Sequence, residues 1–170
     1  PEMPGHGGRN LTRPSLTLIS IAVVVADQCT KAAALRLLGL DGREVTIIPG
    51  LLWFHVIRNT GAAFGLFQSL GPLLGVMSIV LIYAGYKIAR HEDDPGLLLS
   101  LALILGGAGG NLIDRVFRGG AVVDFIQIPN WPIFNLADCA ITLGTAGILY
   151  FGVIRKRTKG EPETHAPDSV

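Results

Sequence analysis

LGPLLGVMSIVLIYAGYKIA, residues 70–89, carries one charged side chain, Lys87. A helix crosses the hydrocarbon core of a bilayer with about 20 mainly apolar residues, and this stretch has that length and composition. It closes a longer run, because residues 59–86, between Arg58 and Lys87, hold no Asp, Glu, Lys or Arg. Downstream, Pro95 to Ile113 is uncharged, and so is Cys139 to Ile154, which reaches spanning length if its helix starts near Leu136 with Asp138 in the first turn. Upstream, Pro14 to Ala26 is uncharged and spans only by continuing through Asp27 and Lys31 to about Ala34. The whole chain agrees: its 170 residues are 49% hydrophobic and 16% charged, with mean hydropathy +0.48, against about 25% charged in a soluble domain. An ordinary soluble globule and a disordered chain are both excluded. The expected fold is membrane all-α, a four-transmembrane-helix bundle forming one domain over 1–170.

The N-terminal run behind Arg9 and Arg13 also has the outline of a secretory signal peptide. Val25-Ala26-Asp27 lacks the small-residue pattern of an A-x-A-like site, and Gln28 is too large for a lipoprotein cleavage box before Cys29. A retained first helix is therefore expected. With four helices, Arg9, Arg13, Lys87, Arg90, Arg155, Lys156, Arg157 and Lys159 fall on one side. Lys31, Arg36, Arg43, Arg58, Arg115 and Arg118 lie in or beyond the opposite ends. The positive-inside bias then makes both termini cytoplasmic, with residues 1–13 a short extension and 158–170 a polar, disordered tail.

Two segments face outward. In 43–57, two β-prone runs flank Pro49-Gly50, a turn signal. A small extracytoplasmic β-sheet is expected there, with Trp53 and Phe54 at headgroup depth. Gly119-Gly120, Pro129 and Pro132 interrupt 115–135, which reads as a second outer loop or half-helix.

Ionisable residues at membrane depth are costly and mark candidate sites. Asp27 and Lys31 stand at i and i+4, the favourable order for a helical ion pair; a structural pair and a substrate-facing role both remain open. Asp114 sits at the outer end of a glycine-rich helix, where a carboxylate opposes the helix dipole and needs Arg115 or Arg118 as compensation. The glycines suit close helix packing, which leaves Asn111 and Asp114 together unexplained. Asp124 is embedded in Ala121-Val122-Val123-Asp124-Phe125-Ile126, and Asp138 stands at the mouth of the fourth helix. A chain reversal at Pro129–Pro132 would bring these two acids together.

Other chemistries find little support. Net charge is +1, so nothing draws the chain to nucleic acid. Cys29 and Cys139 form no CxxC or Cys/His pattern, so neither a disulfide framework nor a metal site is expected. There is no GxSxG or HExxH, and a Ser–His mechanism would need His55 with a distant serine such as Ser69. Carboxylates are the available chemistry for a hydrolase. Two rivals from other classes remain: a proton-coupled transporter using Asp27, Asp114, Asp124 and Asp138 as a relay, or a non-catalytic scaffold. A relay spreads its acids through the bilayer, whereas these four map to the outer half.

Asp27-Gln28-x-x-Lys31, Asn59-Thr60-Gly61-Ala62-Ala63-Phe64-Gly65, Gly106 to Arg115, Val122-Val123-Asp124-Phe125 and Phe134-Asn135-Leu136-Ala137-Asp138 form an ordered set. Over roughly residues 15–155 it resembles bacterial lipoprotein signal peptidase (signal peptidase II). The resemblance implies an aspartic endopeptidase of the bacterial inner membrane with four transmembrane helices, an outer β-cradle and no cofactor. Its substrates would be prolipoproteins, cut just before a cysteine carrying diacylglycerol, with membrane lipids around a monomeric enzyme and globomycin-type cyclic peptides as inhibitors. By the same resemblance Asp124 and Asp138 are the catalytic dyad, supported by Asn59, Asn111, Arg115 and Asn135, with Asp27 and Asp114 as the other recurrent acids. Asn135 is an N-cap candidate that places Asp138 at the third helical position, where negative charge is favoured. Asp124, between Val123 and Phe125, should feel desolvation that favours its neutral form.

Overall fold

The computed structural model describes residues 13–61 and 71–154. The expected cytoplasmic extension before Arg13, the tail at 158–170, the basic cluster 155–157, residues 62–65 of the Asn59 motif and Ser69 lie outside the described residues.

Helix α1 spans Arg13–Leu38, α2 Gly71–Ala89, α3 Pro95–Phe117 and α4 Leu136–Ile148, the last continuing as a π-helical segment Leu149–Ile154. Three helices are long and apolar enough to cross a membrane, Ser15–Leu38, Gly71–Ala89 and Pro95–Phe117, and a shorter apolar helix covers Leu136–Gly152. This is a membrane protein. Its hub is α3: 61% of its apolar window is buried, against 17% in α1 and 22% in α2. The outer helices accordingly present apolar side chains, among them Leu18, Ile21, Leu73, Met77 and Val80, to the surroundings, as lipid contact requires.

Helix α3 starts where Asp94 caps it, its Oδ1 accepting the Gly96 and Leu97 amides at 2.9 and 3.1 Å ahead of Pro95 in the first turn. That pairing satisfies amides with no partner inside the helix. It runs four residues past the uncharged stretch, through Asp114 and Arg115, before Gly119 and Gly120 turn the chain at φ 66° and 84°. Small residues on α3 set its neighbours' distance. A Cβ on Gly107 would fall on the Ala137 carbonyl oxygen of α4 and lie 2.8 Å from Ile141 Cγ1. Gly107→Val is therefore expected to cost about 1–3 kcal/mol by overpacking, read as a lower unfolding temperature in detergent. Gly75→Ala on α2, whose nearest neighbour would be Arg115 Cδ at 3.9 Å, serves as the tolerated control.

The sheet is three-stranded, in the order β1 (Glu44–Ile48), β2 (Leu52–Asn59) and β3 (Val122–Gln127), all antiparallel. The expected hairpin over 43–57 is present, turning at Gly50 with φ 73°. The expectation of a loop or half-helix in 115–135 needs correction, because 122–127 pairs with β2, Asp124 opposite Ile57 and Val122 opposite Asn59. The reason is local: the β-prone residues Val122, Val123, Phe125 and Ile126 find a free strand edge, and Val123 and Phe125 join Ala34, Leu38 and Val56 in a buried cluster. That cluster seats the sheet on the C-terminal end of α1, with Phe54 and Phe125 edge to face at 5.9 Å.

Candidate active site

Asp124 and Asp138 are brought into one hydrogen-bonded group. Beyond β3 the chain reverses and Phe134 bridges back to Ile126, which delivers Asn135 and α4 beside the strand. Asn135 caps α4: its side-chain oxygen accepts the Asp138 amide at 3.0 Å, and Asp138 Oδ2 accepts the Asn135 amide at 3.2 Å. This reciprocal box satisfies two orphan donors and fixes Asp138 at the third position of the helix, as the sequence indicates. The same Asn135 donates from Nδ2 to Asp124 Oδ1 at 2.6 Å and to Asn111 Oδ1 at 3.1 Å. Asn111 Nδ2 donates to Asp138 Oδ1 at 2.9 Å, and Asn59 Nδ2 donates to Asp124 Oδ2 at 2.8 Å. Three asparagines from β2, α3 and the α4 cap thus tie the two carboxylates together.

The two acids differ in surroundings. Asp124 is 2% exposed, whereas Asp138 is half-buried. Burial pushes the Asp124 carboxyl up to about 6; the Asn59 amide opposes the rise and the neighbouring Asp138 adds to it.

Beneath the dyad lies a buried ionic cluster. Lys31 is fully enclosed and donates to Asp27 Oδ2 at 2.8 Å, Asp114 Oδ2 at 3.0 Å and Asn111 Oδ1 at 3.0 Å. An ammonium has three donors and no acceptor, and all three are used. Asp114 also takes the Val123 amide at 3.0 Å, Gln28 Nε2 at 2.9 Å and the Arg118 guanidinium. Of the two compensating arginines considered for Asp114, Arg118 makes the contact. Arg115 instead reaches the Asn111 carbonyl at 3.3 Å and Ser78 Oγ at 3.4 Å. Asp27 Oδ1 accepts the Ala137 amide at 3.0 Å, tying α1 to the first turn of α4.

All eight residues singled out in the sequence therefore fall in one region, Arg115 at its edge. Lys31 and Gln28 belong to it too. The i, i+4 spacing shows Lys31 as a partner of Asp27, but no sequence signal shows its link to Asn111 and so to the dyad. The acids are contiguous rather than spread through the helices, which counts against a proton relay. His55 sits opposite Glu44 in the hairpin. Among the described residues no group of three or more His, Cys, Asp or Glu side chains is placed to hold a metal.

Three cavities adjoin the site. One of about 380 Å³ runs along α4 past Asp138, Thr142 and Leu143. A second, about 430 Å³, lies between α2 and α3 and includes Arg115 and Thr60. The third, about 690 Å³, extends from Asn59 along the sheet.

The family description Signal peptidase (SPase) II matches residues 19–154, nearly the whole described chain and every residue of this network. The chain belongs to the signal peptidase II family. It is accordingly a membrane protease. Among similar signal peptidase II relatives, the lipoprotein signal peptidase of Halalkalibacterium halodurans is 36% identical over 157 residues, covering 88% of this chain and 97% of the relative. That of Pelotomaculum thermopropionicum is 40% identical over 132 residues, covering 76% and 85%. A solved chain described as a bacterial membrane enzyme superposes with a TM-score of 0.79 at 29% identity, covering 95% of this chain and 99% of the other.

Proposed function

We propose that the chain is an intramembrane aspartic endopeptidase that removes the signal peptide from diacylglyceryl-modified prolipoproteins, cutting just before the lipidated cysteine. The observation that carries this reading is the joining of Asp124 to Asp138 through Asn135 and Asn111, at the point where the sheet meets the helix ends. In this reading α4 completes a four-helix bundle in the bacterial inner membrane, both termini are cytoplasmic, and the dyad lies near the outer face. The chain acts as one domain and as a monomer, since a single copy encloses its own polar site.

Two carboxylates in one site share a proton and titrate as a pair. Asp138, half-buried and at a helix N-terminus, is the initial base: it takes a proton from water as the water oxygen attacks the scissile carbonyl. Asp124, desolvated in β3, begins protonated, stabilises the developing oxyanion and passes its proton to the leaving amine. Asn59, Asn111 and Asn135 hold the carboxylates in place. Asp27, Lys31 and Asp114 fix α1, α3 and α4 around them. Globomycin-type cyclic peptides would inhibit by occupying the same region.

The test is to incubate the purified chain with a diacylglyceryl-modified prolipoprotein and with the same protein unmodified. The expected product begins at the lipidated cysteine by mass spectrometry, and the unmodified protein is left intact. Equal cleavage of both, or a cut elsewhere, overturns the assignment of substrate or position.

A pH dependence follows from Asp124. As the acid it must be protonated, so kcat falls as pH rises through its ionisation, which lies about 6 in the free protein. The Asn59 hydrogen bond favours the ionised form, so removing it raises that ionisation. Asn59→Leu is expected to move the alkaline limb of the kcat profile to higher pH. A limb that stays in place or moves lower contradicts the role given to Asp124.

A further inference from the structure

At the opposite end of α1 from the sheet, a groove of about 350 Å³ separates the start of α1 from the end of α2, walled by Leu16, Thr17, Tyr86, Ala89 and Arg90. The spanning stretches are Ser15–Leu38 and Gly71–Ala89, so the groove lies where one begins and the other ends. That is the level at which hydrocarbon gives way to lipid headgroups. Its floor is apolar: Leu16 and Ala89 pack with Leu98 and Leu101 of α3 and with Ile148. Its mouth is polar and positive. Thr17 and Tyr86 bring one hydroxyl each from different helices, and Arg90 is its one charged wall among the described residues. The Arg90 guanidinium stands over the Tyr86 ring, with Cζ 5.9 Å from the centroid, a cation–π contact. Exposed Lys87 adds a second positive charge in the same turn of α2.

An apolar floor under a cationic, hydroxyl-bearing mouth, set at headgroup depth between two lipid-facing helices, complements a phospholipid. We propose that this groove binds an anionic membrane phospholipid, with its phosphate on Arg90 and the two hydroxyls and an acyl chain between α1 and α2. A guanidinium lying face-on to a ring presents its N–H donors at its edge, and phosphate accepts such donors in pairs. Of the acids in the following loop, Glu92 Oε1 accepts the Asp93 and Asp94 amides at 3.0 and 2.9 Å and Asp94 Oδ1 caps α3. Neither they nor Asp93 line the groove. Free phosphate shares the headgroup's charge but makes no use of the apolar floor. Because α1 and α2 each pack on α3, a lipid seated between them joins the two helices, and its binding stabilises the folded state.

The test follows thermal unfolding of the full chain in a neutral detergent during titration with phosphatidylglycerol, with phosphatidylcholine and, separately, with soluble glycerol phosphate. Phosphatidylglycerol is expected to raise the unfolding temperature by about 5 °C at saturation, and the other two by far less. Arg90→Gln is expected to weaken the phosphatidylglycerol midpoint about tenfold, the scale of one hydrogen bond to a charged group. Thr17→Phe leaves every charge in place and fills the groove from α1, and should weaken the midpoint by a similar factor. Arg36→Gln removes the same charge from the last turn of α1 and should leave the midpoint in place. Thr17 and Arg90 are both exposed, so both variants should fold; if one does not, the other decides. No rise with phosphatidylglycerol, an equal rise with phosphatidylcholine or with glycerol phosphate, or a midpoint unmoved in either folded variant overturns the site. So does an Arg36→Gln variant that weakens as much as Arg90→Gln, since net charge alone would then account for binding.

Discussion

Asp124→Asn and Asp138→Asn are each expected to lower turnover of a diacylglyceryl prolipoprotein by about 10³-fold or more while leaving the protein folded. The size of the loss follows from the division of labour: without Asp138 no group takes the proton from water, and without Asp124 none delivers one to the leaving amine. The fold should survive because amides replace carboxylates at nearly constant shape. Some local cost is expected. An amide at position 124 must aim an N–H at Asn59 or Asn135, both of which now donate to it. Asn59 can turn over only by giving up the bond its Oδ1 accepts from the Gly61 amide at 2.9 Å, worth about 1 kcal/mol. At position 138 the capping box keeps one acceptor and loses the charge that suits a helix N-terminus, about 0.3–1 kcal/mol. Each variant should therefore unfold a few degrees below wild type, measured beside the cleavage assay. Near wild-type turnover in either folded variant would remove that aspartate from the dyad.

Lys31→Met is expected to destabilise the protein by about 3–5 kcal/mol. Breaking a buried ion pair strands the partner charge, and here one ammonium serves both Asp27 and Asp114 at 2.8 and 3.0 Å with no solvent contact. Arg118 still reaches Asp114, but Asp27 keeps only the Ala137 amide and Gln28. Against total stabilities of about 5–15 kcal/mol, a large share of the margin is lost. The folded fraction should also be slow. Because an ammonium only donates, it holds the oxygen of Asn111 toward itself and the nitrogen toward Asp138. Methionine removes that donor and leaves the Asn135 amide alone to hold the Asn111 oxygen. Thermal unfolding in detergent and kcat per folded molecule measure the two effects, and a variant as stable as wild type would show that Asp27 and Asp114 need no cation.

Much of the bundle is legible along the chain. The helices at 71–89 and 95–117 follow from uncharged runs of spanning length, and the hairpin at 44–59 follows from β-prone runs around Pro49-Gly50. The cap on α4 is legible because its signal, an asparagine followed by an acid three residues on, is local. The features that escape such a reading depend on distant partners. The strand at 122–127 depends on the free edge of β2, more than 60 residues away. Helix α1 carries Asp27 and Lys31 through an otherwise apolar stretch only because Asp114, Asn111 and the start of α4 supply partners from elsewhere in the chain.

The sequence by itself determined that this is a membrane protein, and it singled out the aspartates and asparagines that the proposed chemistry uses. Hydropathy, capping and charge are properties of residues and their near neighbours, so they can be read along the chain. Only the tertiary structure decided which polar groups face one another: that Lys31 donates to Asn111, that Arg118 rather than Arg115 pairs with Asp114, and that Gln127 Oε1 is left without a partner. Hydrogen bonds and ion pairs act over about 3 Å in space, and sequence separation says nothing of that distance once a chain has folded back on itself.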